Sequence, residues 1–312
     1  MSGNIKGINF GIEDNSPSSS INHSPGLDNS SYSIQKENEN QIIPLLKKPP
    51  TSSKNPNIYM LINKTKYPSV RYVGSKMMKF KLVYKENSDW DICWQDSEVT
   101  PEQLKKMKPY QKVNHFHGMY LISRKSNLCT NLMRMRHTFH KDYDFFPKTW
   151  YLPSDLNSLL VHSQKGIDKV YISKPHSSCQ GRGIIISKKV TDFVEKERVV
   201  VQTYINNPLL IEGLKFDLRV YILLSCSEPL RIYMYEEGMA RLCTEKYFEP
   251  KNSNIKNQFM HLTNYAINKL SEKFIYNQEA DNPTIGHKRS LTYILKQIEK
   301  LGGNPASILH SI

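Results

Sequence analysis

The octapeptide LKFDLRVY, residues 214–221, alternates apolar and polar side chains, which predicts a β-strand with two unlike faces. One face would carry Leu214, Phe216, Leu218 and Val220, and the other Lys215, Asp217, Arg219 and Tyr221. Three charges in a row on one strand face need either water or a charged ligand. A solvated sheet face with cross-strand ion pairs explains this pattern, and so does a nucleotide with its phosphates.

Upstream of this strand lies a glycine-containing loop, KPHSSCQGRGI, residues 174–184, between predicted strands at 170–173 and 183–187. Glycines let a backbone approach phosphate closely, and successive N–H groups form an anion nest. Lys174 would then place a positive charge on the phosphates. An ordinary glycine hairpin with a surface lysine is the alternative, and the P-loop pattern G-x-x-x-x-G-K-[ST] is absent.

Two other segments flank these motifs along the chain. VVVQTYI, residues 199–205, predicts a strand with Gln202 and Tyr204 on the face opposite its valines. The end of such a strand can bind adenine through backbone groups, although a plain core strand explains the pattern more simply. HLTNYAINK, residues 261–269, is dense in side-chain donors, and an N-capped turn is its alternative interpretation.

Arginines surround a predicted hairpin turn at Glu236-Glu237-Gly238, which would join strands at 230–235 and 239–243. This pairing would place Arg231 and Arg241 on the two arms of one hairpin. A guanidinium can hold a carboxylate through two hydrogen bonds. A surface arginine is the simpler alternative for each position.

The remaining elements indicate an α+β fold with a mostly antiparallel second half. Residues 1–55 are rich in Ser, Asn, Pro and Lys and are predicted to be disordered. The other predicted elements are strands at 58–62 and 80–94, a helix over 121–139, a short helix capped by Ser154 or Asp155 and running through Leu160, one strand over 214–225, and a helix over 290–300 stopped by Gly302-Gly303.

The charge balance favours an acidic partner. The 43 Lys and Arg exceed the 29 Asp and Glu by 14, and residues 1–50 hold only four Lys against five acidic residues, so the rest carries about +15. Nucleic acid, an anionic membrane and an acidic polypeptide all fit such an excess. No apolar run is long enough to span a membrane, and the five scattered cysteines are typical of reduced thiols in a cytosolic protein.

Several long motifs in a fixed order resemble the tubulin tyrosine ligase-like family, and within it the polyglutamylases. They are residues 201–235 (VQTYINNPLLIEGLKFDLRVYILLSCSEPLRIYMY), 260–269 (MHLTNYAINK), 114–119 (NHFHGM) and 146–150 (FPKTW). The resemblance covers roughly residues 57–300, and the family more often has Pro where His117 stands. It implies an ATP-grasp fold, with residues 56–153 as an N-terminal α/β part and 154–312 as the central and partial C-terminal part.

The resemblance also implies roles for individual residues. Lys174 and Arg219 match catalytic positions near the phosphates. Nucleotide-binding positions are matched by Lys174, Gln180, Gly181, Gln202, Thr203, Tyr204, Ile205, Lys215, Phe216, Asp217, Thr263 and Asn264. Positions that hold the incoming amino acid are matched by Arg241, Tyr265 and Lys288.

The implied reaction joins free L-glutamate to a glutamate side chain of the acidic tubulin tail. ATP with Mg²⁺ would phosphorylate the side-chain carboxylate, and the amine of glutamate would attack the acyl phosphate. Arg241 and Lys288 suit an amino acid with two carboxylates. The stretch 105–148 has ten Lys and Arg against two Asp, which suits an acidic tail, and a solvated charged face is its alternative.

The sequence departs from the family pattern at the metal ligands. In the family an aspartate, and then a glutamate and an asparagine two residues apart, follow the HLTNYAINK motif, so we expect these ligands beyond Ile312. Glu279, Asp281 and Asn282 fall in a predicted loop without the matching context. We therefore expect a domain that lacks its C-terminal part, and 312 residues that do not turn over on their own.

Other functions of this chain stay open at this stage. It could be an inactive microtubule-binding remnant, or a glycylase or tyrosine ligase of the same family. Nucleic-acid binding is disfavoured because base-stacking aromatics do not alternate with basic residues. We expect a monomer in the cytoplasm on microtubules, with cilia or basal bodies as sites by family analogy alone.

Overall fold

Short apolar strands form three four-stranded sheets and one separate hairpin in the computed structural model. It describes residues 57–166, 169–194, 198–277 and 285–312. The predicted disordered segment 1–55 and the loop with Glu279, Asp281 and Asn282 lie outside these ranges. The mixture of helix and sheet confirms the α+β class.

The first sheet is parallel, with strand order β2-β1-β3-β4. Its elements are β1 (Tyr59–Leu61), α1 (Pro68–Tyr72), a π-helical turn (Val73–Met77), β2 (Lys81–Val83), β3 (Ile92–Cys93), α2 (Pro101–Lys106) and β4 (Lys112–Val113). The single strand predicted over 80–94 was wrong, because polar residues 84–91 separate two strands that flank β1 on either side. Buried Met60, Leu61 and Ile62 anchor the centre of this sheet.

Two helices, α3 (Tyr120–Ser123) and α4 (Lys125–Thr138), lead to the second sheet. The continuous helix predicted over 121–139 was wrong at one residue, since Arg124 is extended, with φ −84° and ψ 128°. Near the end of α4, the Arg136 guanidinium donates to the carbonyl of Phe146 at 2.9 Å. This bond ties the helix to the segment that enters the second sheet.

The second sheet is antiparallel, in the order β5-β8-β6-β7. Its elements are β5 (Thr149–Leu152), α5 (Leu156–Gln164), β6 (Tyr171–Pro175), β7 (Ile185–Ser187), α6 (Thr191–Val194) and β8 (Val199–Thr203). Trp150, Leu159, Phe193 and Val201 belong to the core cluster on one face. Asp155 precedes α5 as predicted, but its carboxylate accepts from the Tyr151 N–H at 2.8 Å rather than from the helix.

The third sheet has the order β14-β13-β10-β9 and is also antiparallel. Its strands and the inserted hairpin are β9 (Leu210–Ile211), β10 (Leu214–Arg219), β11 (Ile222–Ser227), β12 (Leu230–Met234), β13 (Met239–Lys246) and β14 (Lys288–Ser290). Leu214, Phe216 and Leu218 pack on the core cluster that contains Leu242 and Ile294. This packing confirms the two-faced strand predicted at 214–219.

The connection from β10 to β13 corrects two predictions. The strand predicted over 214–225 ends at Arg219. Among the strands that the structure describes, β11 then pairs only with β12, through a turn at Glu228-Pro229. The turn at Glu236–Gly238 therefore does not join paired strands, and Arg231 and Arg241 lie in different sheets. The physical reason is that Ala240 and Leu242 belong to the same core cluster as β10 and β9, which makes β13 the neighbour of β10.

Four helices complete the described part: α7 (Gln258–His261), α8 (Tyr265–Asn268), α9 (Leu291–Lys300) and α10 (Pro305–Ser311). Helix α9 begins as predicted at Ser290, whose hydroxyl accepts from the Tyr293 N–H at 3.1 Å. It also ends as predicted, because Gly302 has φ +85° and the Gly303 N–H donates to the carbonyl of Ile298.

None of the helices in the described ranges has the length and apolarity that crossing a bilayer requires. All five cysteines are free, as predicted, and Cys93, Cys129 and Cys243 are buried.

Candidate active site

A cavity of about 310 Å³ opens between the second and third sheets. Among the residues that line it are Lys174, Gln180, Gly181, Lys215, Thr263 and Asn264, which come from three separate stretches of sequence. The structure thus brings together six of the residues predicted to bind a nucleotide.

The loop at one side of the cavity has a left-handed backbone. Gln180 has φ +61° and Gly181 has φ +85°. A Cβ atom on Gly181 would lie 2.5 Å from Cδ1 of Ile267 and 3.0 Å from Cγ of Asn264. Glycine is required here because the loop backbone packs directly against the segment that carries Asn264. The close packing leaves the loop backbone at the wall of the cavity, as a phosphate-binding loop needs.

Lys174 is fixed by a chain of hydrogen bonds across the second sheet. Its ammonium donates to Gln202 Oε1 at 2.9 Å, and Gln202 Nε2 donates to Thr149 Oγ1 at 2.9 Å. Burial lowers the pKa of Lys174 below its usual value, and the charge of Lys125 lowers it further. A half-buried cation with another cation nearby favours an anionic ligand, which would stabilise both charges.

Lys215 enters the same cavity from the third sheet. Its ammonium donates to the Tyr204 hydroxyl at 2.7 Å and lies 4.2 Å from the centre of that ring. Burial lowers the pKa of Lys215 to about 8, with Lys174 as an additional unfavourable charge and Asp217 as a favourable one. Gln202 and Tyr204, predicted for the adenine-binding strand, therefore also orient the two lysines through their side chains.

Asn268 fixes the position of the cavity wall that carries Thr263 and Asn264. Its Oδ1 accepts from the Thr244 N–H at 2.9 Å, and its Nδ2 donates to the carbonyls of Leu262 at 2.6 Å and Asn264 at 3.1 Å. The side chain is 1% exposed, so each of these bonds is made without competition from water. Through Asn268, strand β13 positions the segment that carries Thr263 and Asn264.

A row of charged residues continues from Lys215 across the third sheet. Asp217 faces Arg241, and Arg241 faces Lys288, in register on β10, β13 and β14. Arg241 Nε donates to Asp217 Oδ1 at 2.9 Å, and a second guanidinium nitrogen binds Oδ2. The Lys288 ammonium lies 3.5 Å from the centre of the Tyr265 ring, a cation–π contact. The three residues predicted to hold the amino acid thus lie together.

Six predicted residues neither line the cavity nor belong to the charged row. Two of them, Gln202 and Tyr204, contact the two lysines, and the other four lie further away. The Phe216 side chain packs in the core on the opposite face of β10. The Thr203 N–H donates to the carbonyl of Lys148 at 2.9 Å, and Ile205 is 55% exposed just after β8. Arg219 is exposed and pairs in register with Met239, two residues beyond the Asp217–Arg241 pair.

Sequence reasoning missed two cations that line the cavity, Lys125 and Arg182. The Lys125 ammonium binds the carbonyls of Ser178 and, at 3.5 Å, Pro175. It comes from the start of α4, about 50 residues from its partners, and no local pattern separates it from the other lysines of the 105–148 stretch. His261 lay within a quoted motif but was given no role, although it is buried beside Tyr204.

A larger cavity of about 670 Å³ in the first sheet contains none of the predicted site residues. Charged residues on its wall pair with one another, Lys64 with Glu86 at 3.4 Å and Lys108 with Asp89 at 2.9 Å. Lys64 and Lys108 are thus each paired with a carboxylate, whereas the ammonium groups of Lys174 and Lys215 donate to neutral oxygens.

The donor set of the smaller cavity fits phosphates, and the residues that line it include no carboxylate for a hard cation. Ammonium groups and a glycine-supported backbone bind anions, whereas Mg²⁺ requires carboxylate, carbonyl or amide oxygens. Within the ranges that the structure describes, no cluster of three or more His, Cys, Asp or Glu could hold a metal ion.

Fold and site together define an α+β protein with a cationic cavity between two antiparallel sheets, consistent with an ATP-grasp-like domain. The chain belongs to the tubulin-tyrosine ligase family, whose sequence model matches residues 103–312.

Several curated proteins are similar to this chain over most of its length. A probable beta-tubulin polyglutamylase of Tetrahymena thermophila is 48% identical over 252 residues, which is 80% of this chain and 21% of that protein. The tubulin polyglutamylase ttll6 of Danio rerio is 40% identical over 78% of this chain and 30% of its own length. The human tubulin polyglutamylase TTLL13 is 42% identical over 78% of this chain and 29% of its own length. The chain therefore spans less than a third of each of these relatives.

Proposed function

We propose that this chain is part of an ATP-dependent ligase that adds glutamate to glutamate side chains of tubulin C-terminal tails. The observation that carries the proposal is the pair of half-buried lysines, Lys174 and Lys215, that enter one cavity beside the loop at Gln180-Gly181. Similar proteins named as tubulin polyglutamylases support the choice of substrate.

The two lysines and the loop would bind the triphosphate of ATP, with Thr263 and Asn264 on the facing wall. The adenine would lie against the end of β8, at Gln202–Ile205. Positive charge in the cavity would stabilise the phosphates while the acceptor carboxylate attacks the terminal phosphorus and ADP leaves. Arg219, on the same strand as Lys215, is proposed to assist at the phosphates. Mg²⁺ is expected with ATP, but we assign it no residue and no step here.

The row at Arg241, Tyr265 and Lys288 would hold the free glutamate. The amine of glutamate would attack the carbonyl of the acyl phosphate, releasing phosphate and forming an isopeptide bond. Two cations suit an amino acid with two carboxylates better than glycine or tyrosine. A carboxylate at Arg241 has to compete with Asp217, which now binds two guanidinium nitrogens.

The partner would be the acidic tail of tubulin, drawn by the basic character of the folded part. The stretch 105–148, with its ten Lys and Arg, is the proposed contact region. A monomer on cytoplasmic microtubules, with cilia or basal bodies as specific sites, completes the proposal. It includes no nucleic-acid or membrane partner.

Nucleotide binding by the 312-residue chain tests the first part of the proposal. A fluorescent ATP analogue should bind, ATP should displace it, and nucleotide should slow alkylation of Cys179, an exposed thiol in the cavity wall. Replacing Lys174 or Lys215 by Ala should weaken binding at least about tenfold, because each removes a charge-assisted contact. Lys246→Ala, at an exposed lysine of β13, should bind as the wild type does. No binding, or equal losses at all three lysines, would exclude the site.

Transfer of radiolabelled amino acid to microtubules, with ATP and Mg²⁺, tests the second part. Any label transferred by this chain, or by a longer protein that contains it, should come from glutamate and require the tubulin tails. Transfer of glycine or tyrosine instead would rule out the polyglutamylase assignment while leaving the ligase class intact.

A further inference from the structure

Lys215 is held by a buried chain of hydrogen bonds that the proposed reaction does not itself require. Its ammonium donates to the Tyr204 hydroxyl at 2.7 Å, and that hydroxyl lies 3.0 Å from His261 Nδ1. The other imidazole nitrogen, Nε2, lies 3.2 Å from the carbonyl of Asn254. Tyr204 is 8% exposed and His261 is 1% exposed, so water does not compete for these bonds.

The two end groups, the Lys215 ammonium and the Asn254 carbonyl, fix the direction of every hydrogen bond between them. A carbonyl oxygen only accepts, so His261 Nε2 must carry the proton that it donates to Asn254. A neutral imidazole then has only a lone pair at Nδ1, and the Tyr204 hydroxyl must donate to it. An ammonium only donates, so the Tyr204 oxygen must accept from Lys215. The result is a single consistent order, Lys215 to Tyr204 to His261 to Asn254.

The surroundings keep His261 in this neutral form. Burial lowers the pKa of His261, and the charge of Lys215 lowers it further. The Tyr204 and Tyr247 rings both meet the imidazole edge to face, at 5.6 and 5.7 Å between ring centres. The Tyr247 hydroxyl donates to the carbonyl of Asn206 at 2.6 Å, so its proton is not available to Tyr204.

We propose that Tyr204 and His261 are positioning residues that hold the Lys215 ammonium in the cavity and keep it charged for a phosphate ligand. This inference rests on the proposed nucleotide site and adds two side chains to it. Tyr204 would thus act through its hydroxyl, in addition to the backbone role expected at the end of β8. His261, which is 1% exposed at the cavity wall, would act through Tyr204 rather than by binding the nucleotide itself.

The charged groups that face Lys215 determine how its protonation, and therefore nucleotide binding, should depend on pH. Lys174 on β6 disfavours the ammonium form, and Asp217 on β10 favours it. Cys243 on β13 is a neutral thiol near pH 7, because burial raises its pKa to about 12. Tyr204, Tyr247 and His261 are neutral in this range, so the Tyr204 oxygen is the acceptor that keeps Lys215 charged. Removing it should lower the pKa of Lys215 below about 8.

The test compares Tyr204→Phe with Tyr247→Phe in the 312-residue chain, using the fluorescent ATP analogue between pH 6.5 and 9.5. We expect Tyr204→Phe to weaken binding about tenfold at pH 7.5 and to move the fall in affinity to lower pH. Tyr247→Phe removes a hydroxyl that interacts with Tyr204 but lies outside the path from Lys215 through Tyr204 to His261. It should bind within about twofold of the wild type, with an unchanged pH midpoint.

A second pair of variants separates positioning from packing at His261. His261→Asn places an oxygen near the position of Nδ1 and can still accept from Tyr204, whereas His261→Gln matches only Nε2. The smaller Asn leaves the larger packing defect, yet we expect it to retain more nucleotide affinity than Gln. If Asn loses as much affinity as Gln or more, His261 serves packing alone.

A measurement without nucleotide distinguishes failure of the positioning role from failure of the nucleotide site. Competitive acetylation of Lys215 as a function of pH reports its pKa in the free protein. We expect Tyr204→Phe and His261→Gln to shift the midpoint to lower pH, and Tyr247→Phe to leave it in place. Unchanged midpoints would overturn the positioning role. A wild-type chain that binds no nucleotide but shows these shifts would refute the nucleotide site and keep the hydrogen-bond chain.

Discussion

Position 181 imposes two requirements on its residue that only glycine meets. Its φ of +85° disfavours any L-residue, and a Cβ would collide with Ile267 and crowd Asn264. We expect Gly181→Ala to push the loop away from the Asn264 wall and to weaken binding of the ATP analogue at least about tenfold, through a lost cradle of charge-assisted hydrogen bonds. Equilibrium titration measures this loss.

Gly166→Ala is the matched control for that substitution. Gly166 has φ +104°, but among the described residues its added Cβ would meet the Lys169 side chain at ordinary contact distances, 3.6 Å from Cε and 3.9 Å from Nζ. It carries the same backbone penalty, of order 1 kcal/mol, without a collision at the cavity. Similar losses of affinity in both variants would mean that general destabilisation, not loop position, controls binding.

Lys215 should cost the protein stability in the absence of a ligand. Burial holds its pKa at about 8, below the unfolded value of 10.5, so the folded state penalises the charged form. We expect Lys215→Met to raise the free energy of unfolding at pH 7 by roughly 1–3 kcal/mol, after the lost Tyr204 hydrogen bond is subtracted. Urea unfolding measures the difference, and nucleotide binding should be lost.

The pH dependence of this difference follows from the direction of the shift. Between pH 8 and 10.5 the unfolded chain binds the proton and the folded chain releases it, so wild-type stability rises with pH relative to the variant. The advantage of Lys215→Met should therefore be full below pH 8 and shrink as pH rises towards 10. An advantage that stays constant over this window would show that Lys215 titrates normally.

At this scale the sequence located both half-buried lysines, Lys174 beside a glycine-containing loop and Lys215 within a long family motif. It could not single out Lys125, which reaches the cavity through a contact about 50 residues distant. Nor could alternation in β10 reveal that Asp217 binds Arg241, since that pair depends on the register with β13. Side-chain partners across sheets are properties of pairing, which single-sequence patterns do not contain.

Among the elements, helix α8 depends on one buried amide. Asn268 links Thr244 on β13 to the carbonyls of Leu262 and Asn264, and its oxygen also accepts from the Thr244 hydroxyl at 3.2 Å. We expect Asn268→Ala to destabilise the fold by about 3 kcal/mol, because it leaves buried donors and acceptors unpaired. Nucleotide affinity should fall as well, since Asn264 loses its support.

Asn131→Ala is the control for Asn268→Ala, and urea unfolding measures the free energy of unfolding of both variants. Asn131 makes one hydrogen bond from a helix surface, to the carbonyl of Leu121 at 3.0 Å. Its loss should cost less than about 1 kcal/mol. Equal effects of the two substitutions would argue against a special role for the buried amide.

The β11–β12 hairpin is an element without a covered face. Leu223, Leu230 and Tyr233 are 61%, 67% and 53% exposed, and the hairpin pairs with no other sheet in the described ranges. Because β10 and β13 pair without it, replacing residues 222–234 by a short Gly-Ser turn should leave nucleotide affinity unchanged. Binding of a hydrophobic dye should decrease, since a large apolar patch is removed.

An affinity loss in that deletion would indicate that the hairpin supports the site after all. Circular dichroism and thermal unfolding of the same variant show whether such a loss reflects misfolding of the third sheet.

The hairpin also shows where element-level prediction ends. Periodicity identified most strands and both ends of α9, because alternation and capping are local signals. It joined β12 to β13 through a plausible turn at Glu236–Gly238, although β12 pairs with β11. The choice between partners is decided by the core under β10 and β13, which involves residues as far apart as Ile211 and Ile294.

For the whole molecule, the excess of positive charge lies outside residues 1–50 and should govern encounters with acidic tails. On α4 and just after it, Arg134, His137 and Lys141 are exposed, in the basic stretch that precedes the second sheet. Interactions between exposed charges weaken once the Debye length falls to about 8 Å at physiological salt. Binding to microtubules should therefore depend on salt, on the tubulin tails and on where the charge lies.

Microtubule pelleting with the 312-residue chain tests this charge argument. We expect at least about tenfold weaker binding between 50 and 300 mM salt, and a similar loss on microtubules whose tails have been removed by protease. Arg134→Glu with Lys141→Glu should weaken binding far more than the same reversal at Lys246 and Lys300, which are exposed elsewhere. The two double variants have equal net charge, so only the position of the charge differs. Equal losses would mean that net charge alone draws the chain to microtubules, and the 105–148 stretch would lose its role as the contact region.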